Sequence, residues 1–449
     1  MASFFKTAVE LISDLFPMLM LILCGIYLSF KGDFFQITRF FDSVKLFGKA
    51  FKSKKKNEFS SFKAACTSLS AAVGTGNIAG VAGAVSIGGA GAVFWMWISA
   101  VLGMALKAIE ITLAVKFRER QKDKFIGGPM YYIKNGLSEK FKPLAYLFCL
   151  AGIPSVFCTG NITQTNAAVS SITDNSTLRF IIGLIFALLT YAVTAGGLDR
   201  IGDFTEKIVP FMSVLYIVLC GTVVILNIDF LPIAFKMIIK GAFNPKAVTG
   251  GAVGSVLTAA LIGAERGIFS NEAGLGTAGI AHSCATDADA KFQGLFGIFE
   301  VFTDTILLCT LTALTLICSG VSINYGAPAT SRLVINAVAT VFSNAAAPII
   351  SVMLCLFAFS SIVGWAAYGT VFADFFCRNK YSRLFLYVYP VGCIVGAVSS
   401  TEFSWDIAAF FNGIMLLINL PILVLLNEQA LIILKKRKKD VRKKSKLNK

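Results

Sequence analysis

Residues 70–80 read Ser70-Ala71-Ala72-Val73-Gly74-Thr75-Gly76-Asn77-Ile78-Ala79-Gly80, a polar, glycine-bearing interruption within an apolar run from 62 to 87. A helix facing hydrocarbon gains nothing from this composition. Glycine costs about 1 kcal/mol against alanine in a helix interior, and backbone groups freed in lipid cost several more unless something satisfies them. The stretch therefore predicts a helix broken around a buried ligand. A second one, Gly263-Ala264-Glu265-Arg266-Gly267-Ile268-Phe269-Ser270-Asn271-Glu272-Ala273-Gly274-Leu275-Gly276, puts three charges and four glycines inside the run 248–281. Ionisable groups at that depth face a cavity or one another, so function is the default reading. Close packing of small residues, as at Gly80, Ala84 and Gly88, accounts for the glycines but not for Asn77, Asn271 or Glu272.

Outward from these two stretches the chain is uniformly apolar. Its 449 residues are 56% hydrophobic and 15% charged with a mean hydropathy of +0.74, which excludes a soluble globular surface. Runs at 10–30, 62–87, 90–116, 143–172, 178–197, 206–227, 248–281, 293–318, 348–376, 383–400 and 404–427 each suffice to cross a bilayer as a helix. They predict an all-α polytopic membrane protein of about eleven transmembrane helices, and the short alternating segments of a barrel are missing. The first run, interrupted by Lys6, Glu10 and Asp14, reaches Phe30 without a small-residue cleavage site and reads as a retained helix. The two interrupted runs lie five spans apart, each near the start of five helices. That placement predicts a ten-helix core of two inverted five-helix repeats, 62–227 and 248–427, with broken first and sixth core helices. An N-terminal helix and basic linker (1–61) and a basic tail (428–449) flank it.

The net charge of +16 resides in short connections: Lys45, Lys49, Lys52, Lys54, Lys55 and Lys56; Lys116, Arg118, Arg120, Lys122 and Lys124; and the tail from Lys435 to Lys449. This pattern predicts a plasma-membrane protein with these segments in the cytoplasm, the N-terminus outside and the tail beside anionic lipid, rather than a nucleic-acid binder. The connections 228–247 and 320–347, with Pro232, Pro245 and Pro328, read as outer segments holding short helices. Eleven scattered cysteines without a CxxC pair, and the single histidine His282, predict reduced packing residues and no metal cluster. No HExxH or GxSxG motif supports an enzyme, and no repeated filter or charge ring supports a channel.

The stretches SLSAAVGTGNIAGVAGA (68–84), GAVFWMWISAVLGMALKAIEITLAVKFRER (91–120), GGPMYYI (127–133) and GAERGIFSNEAGLGTAGIAHSCA (263–285) together carry a resemblance to the alanine or glycine:cation symporter family over nearly the whole chain. Ala90 departs from the family's common proline. The resemblance implies the leucine transporter fold and sodium-coupled symport of a small neutral amino acid. Alanine or glycine comes first; serine, glutamine and proton coupling stay open. It implies sodium as the co-transported ion, no organic cofactor, and no partners beyond amino acid, sodium and bilayer.

A zwitterion needs donors and acceptors. The amides of Thr75 and Gly76, at the positive end of a half-helix, suit its carboxylate; carbonyls around Ala72 and from Ile268 through Phe269 to Ser270 suit its ammonium. Gln164, in the polar patch 158–166, is expected to reach the carboxylate, with Asn77 nearby and Trp365 closing a wall. By the resemblance, one sodium sits on the carbonyls of Ser70 and Val73 with the hydroxyls of Ser360 and Ser361, and a second cation uses Ala72, Asn77 and Ser270. Glu265, Arg266 and Glu272 are expected to form an internal charge network, Lys107 and Glu110 a structural pair, and His282 has no assigned role.

Overall fold

The computed structural model describes residues 16–52, 59–121, 124–253, 255–327, 329–377 and 382–435. Expectations resting on Lys6, Glu10, Asp14, Lys54 to Lys56, Lys122, Pro328 and the tail beyond Lys435 lie outside these residues.

The chain enters through α1 (Phe16–Lys31), a single turn α2 (Phe35–Thr38) and α3 (Phe40–Lys52). The first interrupted run forms α4 (Ser61–Ala72) and α5 (Ala79–Gly88), and α6 (Gly91–Lys116) follows a turn at Gly89. Next come α7 (Pro129–Gly136), α8 (Lys142–Phe157), α9 (Thr163–Ile172), α10 (Ser176–Thr194) and α11 (Gly197–Leu226). The short α12 (Leu231–Phe243) and α13 (Pro245–Thr249) lead to the second interrupted run, α14 (Val256–Asn271) and α15 (Thr277–Ser283). The rest is α16 (Ala290–Val301), α17 (Thr310–Cys318), α18 (Ser331–Phe342), α19 (Ala346–Cys377), α20 (Ser382–Val388), α21 (Val391–Val398) and α22 (Thr401–Lys435). Side-chain oxygens start several of them: Ser60 accepts from Lys63 N–H, Asn175 from Leu178, Ser255 from Thr258 and Asp289 from Phe292.

Three features differ in detail from the expectations. The fold is not purely helical, because β1 (Glu119–Gln121) pairs antiparallel with β2 (Lys124–Ile126) in the loop after α6, where Arg118 lies over the Phe125 ring. Seven described helical stretches are long and apolar enough to span a membrane, or eight with the bent pair α4 and α5, against the expected eleven. The shortfall has a simple cause: α1 has 16 residues, α20 and α21 are interrupted before Val391, and the run containing α14 and α15 is split. Finally, α22 passes the expected core boundary at 427, since Ala430, Leu431 and Leu434 still bury an apolar face. The expected connections do hold helices, namely α12, α13 and α18.

α6 is buried along most of its length. Glycines make this possible: a Cβ at Gly263 would lie 2.2 Å from the Ala92 carbonyl oxygen, and one at Gly267 would lie 2.3 Å from Ser99 Oγ, so α14 rests backbone against α6. The outer surface is the reverse of a soluble one, with Leu184, Ile185, Leu188 and Leu189 of α10 and Val214, Val218 and Ile225 of α11 exposed. Such belts are stable only against lipid.

Candidate functional site

α4 stops at Ala72, Val73 and Gly74 are extended, Thr75–Asn77 form one 3-10 turn, and α5 leaves at 55° to α4. Gly74 has no room for a side chain, since a Cβ there would sit 2.5 Å from Ser361 Oγ and 2.8 Å from Gln164 Oε1. The amides freed by the break are taken by two side-chain oxygens. Asn77 Oδ1 accepts the Gly74 N–H at 2.9 Å; Gln164 Oε1 accepts the Thr75 N–H at 3.1 Å and the Thr75 hydroxyl at 2.9 Å. Both are neutral acceptors at a half-helix N-terminus, where the dipole favours an anion. Gln164 follows a π-helical turn, Cys158–Ile162, that joins α8 to α9. Trp365 of α19 packs on that turn, fully buried and so close that a Cβ on Gly160 would lie 2.3 Å from the Trp365 Cβ. Gly76 faces α14, with Phe269 Cδ1 3.6 Å from its would-be Cβ.

Beside Gly74, the Ser361 hydroxyl donates to the carbonyls of Ser70 at 3.0 Å and Val73 at 3.3 Å. Three oxygens thus converge, as a hard cation requires. Ser360 behaves differently: its hydroxyl donates to the Phe357 carbonyl of its own helix at 3.0 Å. Ala72 is buried at the end of α4.

The second break lies later than the sequence suggests. α14 continues through Glu265 to Asn271, and the irregular backbone spans Glu272–Gly276, with positive φ at Glu272 (55°), Gly274 (81°) and Gly276 (95°). In consequence the Ile268 carbonyl, expected to face an ammonium, accepts the Glu272 N–H at 2.9 Å. Ser270 does join the first break, because Asn77 Nδ2 donates to its hydroxyl oxygen at 3.0 Å.

The charges also sort differently. Glu265 and Arg266 pair at 3.5 Å and, with Trp405 and Asp406, line an open cavity of about 270 Å³ that Glu272 also borders. Arg266 lies over the Trp405 ring, which packs on Phe269. Glu272 is bound instead by the Thr277 hydroxyl at 2.7 Å. Lys107 and Glu110 turn to different partners: Lys107 Nζ meets the Asn271 carbonyl at 3.0 Å and Glu300 at 3.3 Å, while Glu110 accepts the N–H groups of Gly276 at 3.0 Å and Gly279 at 3.2 Å. His282, given no role, is fully buried between Gln293 and Glu300, and Ser68 of α4 also donates to Glu300.

Sequence reasoning missed Asp304. It sits on a second π-helical turn, Phe302–Cys309, fully buried, accepting Asn77 Nδ2 at 2.7 Å and the hydroxyls of Ser270 and Thr305 at 2.8 Å each. The signal was present, since a carboxylate inside the run 293–318 is as anomalous as Glu272. π-turns often mark functional sites: the second carries Asp304 against Asn77, and Gln164 lies just beyond the first.

Comparison with known proteins gives a consistent result. The sequence profile described as "Sodium:alanine symporter family" matches residues 1–449. The chain is 37% identical over 420 residues to the sodium/alanine symporter AgcS of Methanococcus maripaludis, covering 91% of each chain. It is 35% identical over 419 residues to the probable sodium/glutamine symporter GlnT of Bacillus subtilis, covering 92% of this chain and 85% of that one. Among solved structures, a manganese transporter of Eremococcus coleocola aligns with a TM-score of 0.50 at 17% identity, over 85% of this chain and 80% of that chain, a likeness of fold alone.

Proposed function

Because the chain belongs to the sodium:alanine symporter family and is a multi-pass membrane transporter rather than an enzyme, we propose that it imports a small neutral amino acid, alanine or glycine, together with sodium by alternating access. One observation carries this reading: the Ser361 hydroxyl and the carbonyls of Ser70 and Val73 converge directly beside a loop whose amides are capped by neutral oxygens. A cation and a carboxylate would then bind within one break and attract each other. The carboxylate replaces the side-chain oxygens on Gly74 and Thr75, and Gln164 and Asn77 turn to it as donors through their NH2 groups. Gly76 keeps the space small, Trp365 walls it, and Phe269 and Ser270 offer the last carbonyls of α14 to the ammonium. Sodium takes Ser70, Val73 and Ser361, with Ser360 behind, and a second cation site draws on Ala72, Asn77 and Ser270. The core is read as two inverted repeats of the leucine transporter type, set in the plasma membrane with the N-terminus outside and the basic tail in the cytoplasm.

The test is uptake of labelled alanine, glycine, serine and glutamine into proteoliposomes under sodium, potassium or proton gradients imposed singly. Alanine or glycine accumulating under sodium alone is the expected result. Accumulation driven by protons alone, or of glutamine in preference to alanine, would replace this assignment.

A further inference from the structure

The helix α3 (Phe40–Lys52) has three unlike faces. Ser43, Leu46, Phe47 and Ala50, at helical spacing, turn to the protein: Ser43 is buried, and Phe47 stacks on Phe299 of α16 with ring centroids 4.2 Å apart. Phe41, Val44, Gly48 and Phe51 follow the same spacing on the next side of the helix, and Phe41 is 74% exposed. Lys45, Lys49 and Lys52, all exposed, make the remaining face. Its acid, Asp42, is paired with Arg39 at 3.0 Å, so the face is positive, and the sequence goes on with Lys54, Lys55 and Lys56. A soluble acidic partner would answer the lysines and leave Phe41 and Val44 in water; plain hydrocarbon would answer those two and strand the lysines. The surface of a bilayer with anionic headgroups answers both. α3 also touches the first broken helix, because Phe47 and Phe51 each lie 5.5 Å from the ring of Phe62, in the first turn of α4.

We propose that α3 is a membrane-surface helix that binds the anionic lipid of the cytoplasmic leaflet and, through Phe47 and Phe51 on Phe62, makes the seating of α4 depend on that lipid. Phe41 and Val44 enter the acyl boundary, while Lys45, Lys49 and Lys52 extend along it and meet the lipid phosphates. The leaflet rests on the proposed topology, and the effect on transport rests on the symport reading; the binding itself rests on neither. α4 runs from Phe62 to the extended residues at Val73 and Gly74, so an anchor at its start bears on the break without touching any ligand. Lipid that holds α3 flat keeps the two aromatic rings against Phe62. Without it, the lysines draw α3 toward water and loosen that contact.

The experiment uses the full chain in proteoliposomes of phosphatidylcholine, with and without phosphatidylglycerol. Spin labels on Phe41→Cys and Lys49→Cys report depth: position 41 is expected to meet oxygen dissolved in the lipid, and position 49 a water-soluble nickel chelate. Sodium-driven alanine uptake is expected to be about fivefold faster with phosphatidylglycerol, since each lysine near an anionic surface strengthens attraction by about that factor. The triple change Lys45→Gln, Lys49→Gln, Lys52→Gln should reduce the ratio to below about twofold, and the corresponding change of all three to Arg should keep it, because the effect is one of charge. Equal wild-type uptake in the two lipids, or a full response in the glutamine variant, overturns the proposal. So does a label at 41 shielded from both reagents, which would mean that a second copy of the chain covers the face, or a full response to dissolved glycerol phosphate, which would mean a site for soluble anions. Absence of alanine uptake in either lipid would instead remove the symport reading, and the two depth labels would still decide whether α3 lies on the membrane.

Discussion

Two neighbouring serines with the same chemistry have different geometry. Ser361 is spent on carbonyls of another helix, Ser360 on one of its own. Ser361→Ala should therefore raise the sodium concentration for half-maximal uptake about tenfold, since a hydrogen-bonding group to a charge contributes roughly 1.5 to 3 kcal/mol. Ser360→Ala should leave it near wild type, and sodium titrations of uptake for the two variants check the contrast. Gln164 allows a sharper experiment, because its Oε1 already occupies the Thr75 amide. Gln164→Glu would place a true anion at a half-helix N-terminus, a favourable cap, and would repel an incoming carboxylate. The variant should be at least as heat-stable as the wild type and bind alanine more than about tenfold more weakly, as its carboxylate competes with the ligand's for the Thr75 amide. Wild-type alanine affinity in that variant would remove the Thr75 amide from the carboxylate site.

At the scale of the element, α6 acts on the second break at both ends. Lys107 lies on the last carbonyl of α14, the negative end of its dipole, and Glu110 on the first amides of α15. Lys107→Met should strip Glu300 of its lysine, leaving it His282 and Ser68, leave the Asn271 carbonyl unpartnered by that side chain, and cost about 3 to 5 kcal/mol. A thermal unfolding midpoint within a degree or two of wild type would show the clamp to be unimportant. The same contrast explains what the sequence could and could not disclose. Gly74, Thr75, Gly76 and Asn77 located the first break to the residue, because no helix in lipid tolerates them unpaid. Within 263–276 the charges of Glu265 and Arg266 did not say where the break falls: they sit inside a regular helix and open onto a cavity beside Trp405. The true break needed the positive φ of Glu272, a residue type that gives no local hint of it. Lys107 and Glu110, three apart, looked like each other's partners, and only the arrangement of α14, α15 and α16 around α6 reveals that they diverge. Asp304 was legible as an anomaly, but its role depends on a π-turn that no spacing rule predicts.

At the scale of the whole molecule, the lysines report orientation. Lys435 at the end of α22 bonds the Lys31 carbonyl at 2.9 Å and Asp33 at 2.6 Å, so the ends of α1 and α22 share one face. By the positive-inside reasoning that face is the one proposed to lie in the cytoplasm. Lys435→Cys should be labelled by a membrane-impermeant maleimide only from the cytoplasmic side. Phe230→Cys, exposed in the connection between α11 and α12, should be labelled only from outside, and the reverse pattern would invert the topology. The capped loop has a last consequence, for the half of the cycle that carries nothing. A carrier must bring its empty site back across the membrane, and each bare amide in that dry interior would add to the barrier of the return stroke. On the proposed symport reading, Asn77 and Gln164 folded onto Gly74 and Thr75 would keep those two amides satisfied during that return. A carrier of the proposed kind would then return empty at lower cost than one whose broken helix left both amides bare.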